Sequence, residues 1–369
     1  MKLSVRYRNA AVAVVTVLAM AVSVVGVSSA SASTTKPAPT AVAASPRHGT
    51  ANVAYAGSLE LLAAKVLGPK FTAKTGDGFE GTAAGSTTLA EEILDNEIDP
   101  GVFMSVGKKN IKKLWPADRS RFVIQLATDP LVVAYNPKGK WAKDFEAIAD
   151  HKSPITRLFS LLSTKGMRIG RTDPNADPQG VYFILMMKLA KSTFHLSYSP
   201  AVTALGVTKS TPFGKTSQMV DEDSLITDLQ AGEFDATSAY ITQAIQYHLD
   251  YIRLPGSLNF SVNSELAHYA TVSITLTDGT VDTGDLITLN FTIVSNGSGW
   301  TRTKSDQEAD FVFAKWLLTK EGLICLKRGG YLMTPVFFTG AKSSYTPANT
   351  LPRNVLTAFR AAGGKTLNG

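Results

Sequence analysis

Cysteine and histidine are scarce in this sequence, which has one cysteine and five histidines among 369 residues. The single thiol, Cys325, excludes an intrachain disulfide, and its apolar neighbours on a predicted helix favour a buried, inert side chain. No pair of histidines has the spacing of zinc ligands. The Gly-Ser pairs lack the Gly-x-Ser-x-Gly spacing of a hydrolase elbow, and the four tryptophans are scattered. We therefore expect neither an enzyme nor a carbohydrate-binding platform.

Strong positive charge is also lacking. The formal net charge is +7, and it falls to +4 when the three basic residues of positions 1–32 are removed. The local basic clusters are short, whereas a nucleic-acid-binding face concentrates Lys and Arg among aromatic residues. We expect a monomer that does not bind nucleic acid.

The first 32 residues have the pattern of a secretory signal peptide. Three basic residues precede an apolar run over 9–27, and Ala30-Ser31-Ala32 fits the small-x-small cleavage pattern. An uncleaved membrane anchor is the alternative, because the run approaches the length that spans a bilayer. The anchoring cysteine of a bacterial lipoprotein is absent. We expect cleavage after Ala32, which makes the protein extracytoplasmic. A flexible, Pro-rich and Ser-rich linker is expected over 33–50, before the folded part begins.

Strand and helix patterns alternate from about residue 51. Predicted strands over 53–56 and 78–84 are each followed by a helical pattern. Repeated strand-helix units predict an α/β fold with mostly parallel sheets flanked by helices, which bind ligands at the carboxyl ends of strands. Asp129-Pro130 interrupts a β-rich stretch, which predicts a strand crossing between two lobes.

These patterns predict two lobes built from three stretches of the chain. A second α/β lobe follows the crossing, and a later segment returns to the first lobe. The predicted boundaries are 51–130 for the first part of lobe 1, 131–268 for lobe 2, and 269–369 for the return segment, with an inserted hairpin at about 278–303.

Three predicted helix starts carry small or polar residues suited to an anion. Gly57-Ser58 and Gly85-Ser86 follow strands, and the 173–180 turn, with two Asp-Pro steps, precedes an apolar helix. Helix N-termini supply unpaired N–H groups and the positive end of the macrodipole, and serine adds a hydroxyl donor. Serine is also an ordinary N-cap, so capping and ligand contact remain open for Ser58 and Ser86.

Asp177 has two interpretations. A carboxylate beside an oxyanion repels it unless it accepts a proton from the ligand or coordinates the central metal of a metal oxyanion. Alternatively, Asp177 caps the helix that follows, while Asp173 closes the preceding turn through an Asx-type bond. Both roles remain open for Asp177, and the cap is favoured for Asp173.

The order of these motifs resembles that of molybdate/tungstate-binding proteins, the extracytoplasmic components of ABC transporters, and especially their tungstate-type branch. The 173–180 turn is the most specific part of the resemblance, which covers roughly residue 52 to 330. The other matching segments are Ala56-Gly57-Ser58-Leu59, Ala83-Ala84-Gly85-Ser86, Gly232-Glu233-Phe234-Asp235, Ala239-Tyr240 and Leu254-Pro255.

The resemblance implies a type II periplasmic-binding-protein fold that closes over a tetrahedral oxyanion and delivers it to a membrane permease. The ligand contacts that it implies are the side chains of Ser58, Ser86 and Tyr240, the N–H groups of Gly180 and Val181, and Asp177 near the central metal. No cofactor is implied besides the bound molybdate or tungstate.

One position departs from the tungstate-type pattern. A glutamate commonly precedes the tyrosine that matches Tyr240, and here that position is Ala239. The missing carboxylate weakens the expectation of six-coordinate metal binding. Sulfate or an organic anion, bound by a sensor or interaction module, is the alternative function.

Overall fold

The computed structural model describes residues 48–214 and 217–367. The predicted signal peptide and most of the predicted linker lie outside these residues. Within the described ranges, the strands are β1 Thr50–Ala56, β2 Gly78–Ala84, β3 Val102–Val106, β4 Phe122–Thr128, β5 Leu131–Tyr135, β6 Ile169–Arg171, β7 Gln218–Met219, β8 Ala236–Tyr240, β9 Asp250–Arg253, β10 Ser273–Thr275, β11 Val281–Thr283, β12 Thr288–Ile293, β13 Leu332–Gly340 and β14 Lys365–Thr366.

The helices connect these strands and cover the sheets. In the same ranges they are α1 Glu60–Leu62, α2 Gly68–Thr75, α3 Ser86–Leu94, α4 Lys108–Lys113, α5 Ala142–Ala149, α6 Thr156–Leu162, α7 Pro178–Thr193, α8 Pro200–Thr203, α9 Glu222–Ala231, α10 Ile241–Gln246, α11 Leu266–Tyr269, α12 Lys304–Leu317, α13 Lys320–Arg328, α14 Pro347–Thr350 and α15 Arg353–Ala361. A 3-10 turn, Gly57–Leu59, joins β1 to α1. None of the helices described is long and apolar enough to cross a membrane.

Two mixed sheets organise the described residues. The large sheet has the order β14-β13-β4-β12-β3-β1-β2, and the small sheet has the order β7-β6-β8-β5-β9. We call each sheet with its helices a lobe, the large lobe and the small lobe. Sheets flanked by helices confirm the predicted α/β class.

The prediction of mostly parallel sheets was wrong. Parallel pairing joins β1 to β2 and β3, but β12 is antiparallel to both of its neighbours, β3 and β4. The small sheet likewise pairs β5 antiparallel to β8 and β9. The reason is the exchange between lobes: β4 carries the chain out of the large lobe and β12 brings it back, so the two neighbours run in opposite directions.

Asp129 and Pro130 connect β4 directly to β5, so this short step is the first crossing between the lobes. The return crossing lies beside it, because the Asp129 N–H donates to the carbonyl of Ile287 at 3.0 Å. The Ile287 N–H in turn donates to the carbonyl of Phe260 at 2.7 Å. The two crossings therefore form one hydrogen-bonded hinge region.

The predicted hairpin at about 278–303 was misplaced. The structure pairs β10 with β11 over 273–283, while β12 lies at the centre of the large sheet. The apolar side chains of β12, such as Leu289 and Phe291, are buried, because β3 and β4 flank this strand and helices α4 and α12 contact it. Their alternation resembled that of a half-exposed hairpin strand.

Helix α7 is the core of the small lobe. Twelve of its sixteen residues are buried, including Phe183, Ile184, Leu185 and Met186 in succession. A helix that is apolar on every side is stable only when other elements surround it. The helix that follows the 173–180 turn is therefore rigidly held, and so is its N-terminus.

Candidate functional site

The two Gly-Ser turns lie side by side at one edge of the large sheet. Strands β1 and β2 are parallel, and Ala56 is in register with Ala84 at their carboxyl ends. Gly57-Ser58 and Gly85-Ser86 directly follow these two residues, so the sheet brings both turns to the same level. This edge is where α/β sheets bind ligands.

The two serines have different hydrogen bonds. Ser86 is fully buried at the first position of α3, and its Oγ accepts from the Val106 N–H at 3.1 Å. Ser58 is 1% exposed, and its Oγ has no hydrogen-bond partner in the described part of the chain. A buried hydroxyl without a partner costs free energy, so an oxygen atom of a ligand is a natural acceptor for Ser58.

The 173–180 turn is closed by its own aspartates. Asp173 Oδ1 accepts from the N–H of Asn175 at 2.9 Å, as the predicted Asx-type bond requires. Asp177 is 4% exposed, and its Oδ1 caps α7 by accepting from the Gln179 N–H at 3.0 Å. Capping is therefore one role of Asp177, and it fixes the orientation of a carboxylate whose second oxygen is also buried.

Gly180 allows the turn to pack tightly against the end of β6. A Cβ atom at this position would lie 2.3 Å from the carbonyl oxygen of Thr172. In the first turn of α7, Pro178 has no N–H and the Gln179 N–H is bonded to Asp177, which leaves the N–H of Gly180 directed outward from the helix end. At Val181 the regular bonding of an α-helix to the residue four earlier begins, so its N–H is the weaker candidate.

The two lobes touch directly at these turns. The N–H and Oγ1 of Thr88, from the large lobe, approach the carbonyl of Ala176 at 3.3 and 3.4 Å. Gly85 comes closer still, because a Cβ atom there would lie 2.4 Å from the same carbonyl. The structure therefore brings Ser86 and Asp177 to opposite sides of one closed cleft.

Tyr240 lies at the end of β8 and is fully buried. Burial raises the pKa of its hydroxyl well above the ordinary value, and the carboxylates of Asp177 and then Glu222 raise this pKa further. The hydroxyl stays protonated as a donor, and it has no hydrogen-bond partner among the described residues. Tyr240 therefore belongs to the same cleft as Asp177.

Glu222 was missed by the sequence analysis. It is 6% exposed at the first position of α9, a helix that packs against the Gly57–Leu59 turn. An acidic residue at a helix start stabilises the macrodipole, so its position in the sequence is explained without any ligand. Its proximity to Tyr240 is a tertiary contact, and no local pattern shows it.

Ala239 occupies the opposite face of β8 from Tyr240. Successive side chains of a strand point to opposite faces. Ala239 lies in an apolar cluster with Leu225 and Ile226. The alanine at this position, where the tungstate-type pattern has a glutamate, therefore packs in the core. Glu222, from α9, is the buried carboxylate near Tyr240 instead.

Arg171 supports the cleft from behind and was also missed. This guanidinium is fully buried, and burial lowers its pKa to about 10. It donates to Ser217 Oγ at 2.6 Å and to the carbonyl of Thr172 at 3.3 Å. The side chain thus holds the end of β6 in place beneath the 173–180 turn.

The hinge carries a buried acid. Asp129 is fully buried, and its carboxylate accepts from Thr242 Oγ1 at 2.6 Å and from the Thr242 N–H at 3.3 Å. Burial raises the pKa of Asp129 to about 7, although both hydrogen bonds from Thr242 oppose the shift. The start of α10 is thereby tied to the crossing between the lobes.

No group of three or more His, Cys, Asp or Glu side chains in the described ranges is arranged to hold a metal ion directly. A surface cavity of about 950 Å³ lies beside β9, lined by residues such as His151 and Arg253. It shares none of the residues of the cleft between the lobes. The cleft is thus the place where buried donors from both lobes meet.

Known proteins are similar to this chain over most of its length. The chain is 30% identical over 231 residues to a protein of Haloferax volcanii assigned to molybdenum binding in an ABC transporter, covering 62% of this chain and 68% of that protein. It is 25% identical over 296 residues to the molybdate/tungstate-binding protein WtpA of Pyrococcus abyssi, covering 75% of this chain and 79% of that protein.

Solved structures share the fold. The periplasmic molybdate-binding protein of Azotobacter vinelandii superposes with a TM-score of 0.51 at 15% identity, covering 77% of this chain and 99% of that one. The sulfate-binding protein SubI of Mycobacterium tuberculosis superposes with a TM-score of 0.50 at 12% identity, covering 86% of this chain and 94% of that one. The predicted periplasmic-binding-protein fold is confirmed.

The sequence profile described as bacterial extracellular solute-binding protein matches residues 51–332, from the first strand of the large sheet to the start of β13. The match includes both Gly-Ser turns, the 173–180 turn and both crossings. This chain belongs to the family of bacterial extracellular solute-binding proteins.

Proposed function

We propose that this protein captures molybdate or tungstate between its lobes and presents the anion to the permease of an ABC importer. The observation that carries the proposal is the meeting of Ser58, Ser86 and the 173–180 turn at one closed cleft. Relatives named for molybdate, tungstate or molybdenum binding support the choice of anion.

Recognition uses donors and not a salt bridge. The hydroxyls of Ser58, Ser86 and Tyr240 and the N–H of Gly180 donate to the ligand oxygens. Val181 N–H is a further donor if the helix start opens. Asp177 approaches the central metal, which distinguishes a metal oxyanion from one whose central atom cannot accept a carboxylate oxygen.

Binding closes the hinge. The ligand touches both lobes only when they are together, so it stabilises the closed state over any open one. The protein acts as a monomer without a cofactor and does not bind nucleic acid. It reaches the extracytoplasmic side after cleavage of residues 1–32, and it catalyses no reaction.

Calorimetric titration with molybdate, tungstate, sulfate and phosphate tests the proposal. We expect molybdate and tungstate to bind far more tightly than the other two anions. Binding no tighter than millimolar for all four would remove the basis of the transport function.

Sulfate is the second candidate, because the large-lobe donors are neutral and suit any tetrahedral oxyanion. The carboxylate of Asp177 disfavours it, since ionised sulfate has neither a proton to donate nor a central atom that accepts a carboxylate oxygen. Stronger binding of sulfate than of molybdate in the same titration would favour this candidate, whether the protein serves as a transporter component or as a sensor.

A further inference from the structure

The hairpin formed by β10 and β11 is bonded to the small lobe at its base and near its tip. At the base, Lys188 Nζ of α7 donates to the carbonyl of Ser273 at 2.6 Å. Near the tip, both the N–H and the Oγ1 of Thr277 donate to Asn175 Oδ1, each at 3.0 Å. Asn175 lies inside the 173–180 turn, so the hairpin contacts the ligand-binding motif of the small lobe.

The same hairpin and the residues just after it are bonded to the large lobe. Lys109 of α4 pairs with Asp282 and donates to the carbonyl of Thr283 at 3.0 Å. The neighbouring Lys108 Nζ lies 3.2 Å from Asp285 Oδ2. Helix α4 follows β3 of the large sheet, so these contacts are independent of those with α7 and Asn175.

A hairpin held on both sides constrains the motion of the lobes. When the cleft opens, the hairpin can follow only one lobe, and one of the two sets of contacts must break. The geometry points to the 273–285 segment as a clasp that spans the lobes, holds the closed state and slows release of the bound anion. This inference rests on the proposed function, because the clasp acts on a ligand-closed cleft.

Ion pairs are found on one side of the clasp. The bonds to Asn175 and Ser273 are made to uncharged acceptors, whereas the contacts with α4 include two ion pairs. Lys108 and Lys109 are 41% and 45% exposed, so salt screens their pairs and each pair contributes modestly. The charged side is therefore the one that can be removed without disturbing the core.

Replacing both lysines by alanine tests the clasp. We measure molybdate release from the full protein by stopped-flow tryptophan fluorescence at low and high salt. We expect release to be about three- to tenfold faster in the variant at low salt, and this difference to shrink at high salt. Lys112→Ala is the matched control, because Lys112 lies on the same helix and its ammonium sits over the ring of Trp115 in its own lobe.

Charge exchange separates the clasp from a general effect of charge. Lys109→Glu and Asp282→Lys should each accelerate release, and the double variant should restore the slow rate. Equal release rates in all variants would overturn the clasp while leaving the anion site intact. If molybdate binds neither wild type nor variants in calorimetry, the proposed function fails, and the clasp inference falls with it.

Discussion

The two sides of the cleft are built from opposite chemistry. The large lobe presents neutral hydroxyls and backbone groups at the Ser58 and Ser86 turns, which follow two parallel strands in register. The small lobe presents two buried acids, Asp177 and Glu222, whose charges both raise the pKa of the Tyr240 hydroxyl. The large-lobe side can donate hydrogen bonds to any oxyanion, whereas the carboxylates of the small-lobe side repel most oxyanions.

Under the proposed function, this difference assigns affinity to the large lobe and selectivity to the small lobe. Hydrogen bonds from buried neutral donors to a charged oxygen stabilise a complex whatever the central atom of the anion is. Carboxylates repel a dianion at short range, unless the ligand offers them a proton or an open coordination site. Variants on the large lobe should therefore lower affinity for all anions, and variants on the small lobe should change their ranking or respond to pH.

The largest effect, on stability, is expected at Asp129, the buried acid of the hinge that accepts from Thr242 of the small lobe. The pKa of Asp129 is about 7 when folded, well above that of an unfolded aspartate. The folded state therefore binds more protons between about pH 4 and 7, and stability falls as pH rises through this window, by on the order of 4 kcal/mol. We expect Asp129→Asn to remove most of this fall, because an amide does not titrate in this range. Its oxygen can still accept from Thr242, which keeps the contact.

Urea unfolding of wild type and variant at several pH values measures this effect. The pKa of Asp310 is also raised, to about 6, so a smaller slope of the same sign should remain in the variant. Identical pH dependence of the two proteins would show that Asp129 is not the titrating group.

The two serines should separate on the large-lobe side. Ser58→Ala removes a hydroxyl without a protein partner in the described residues, so we expect affinity to fall by about 1.5–3 kcal/mol with stability nearly unchanged. Ser86→Ala also leaves the buried Val106 N–H without its acceptor, so we expect stability to fall by about 1–3 kcal/mol in addition to the loss of affinity. Calorimetry and thermal unfolding of both variants measure the two quantities. Equal stability losses would contradict the different bonding of the serines.

Gly85→Ala should disturb the contact between the two lobes at the cleft. This glycine has φ −55° and ψ 136°, values that alanine adopts without strain, so the large lobe itself should tolerate the change. The added Cβ meets the Ala176 carbonyl across the cleft, and overpacking of about 1–3 kcal/mol lowers affinity roughly ten- to hundredfold. Small-angle scattering with molybdate should show a more open variant, whereas a fully closed one with unchanged affinity would refute this account.

The smallest effect is expected at Asp177. Asparagine caps helices as well as aspartate does, so Asp177→Asn should keep α7 intact and remove only the charge. We expect the ratio of molybdate to sulfate affinity to fall by a few-fold, with Asp173→Asn as the matched control in the same turn. If the ratio of molybdate to sulfate affinity is unchanged, helix capping is the only role of Asp177.

The sequence predicted those features that depend on neighbours along the chain. The turn at 173–180 has its predicted Asx-type bond because Asp173 and Asn175 are two residues apart. The Gly-Ser turns lie at strand ends because the predicted extended runs stop at Ala56 and Ala84. The crossing at Asp129-Pro130 was also predicted, since a proline there interrupts a single long β-rich stretch.

Features that depend on distant residues were not predicted. The antiparallel placement of β12 follows from where the chain leaves and re-enters the large lobe, and this is a property of the whole topology. Ser86 is bonded to Val106, twenty residues away, so its role as an acceptor is invisible in its local pattern. Glu222 faces Tyr240 for the same reason, through the packing of α9.

The position of β12 also sets the order in which the chain can fold. All strands of the small sheet lie within 131–253, so this sheet is complete before the large one. The large sheet has a gap between β3 and β4 until residues 288–293 arrive to fill it. Contacts between segments so distant in sequence form slowly. A chain destined for the extracellular side thus keeps its larger half unfinished, and so open to threading, until most of it has been made.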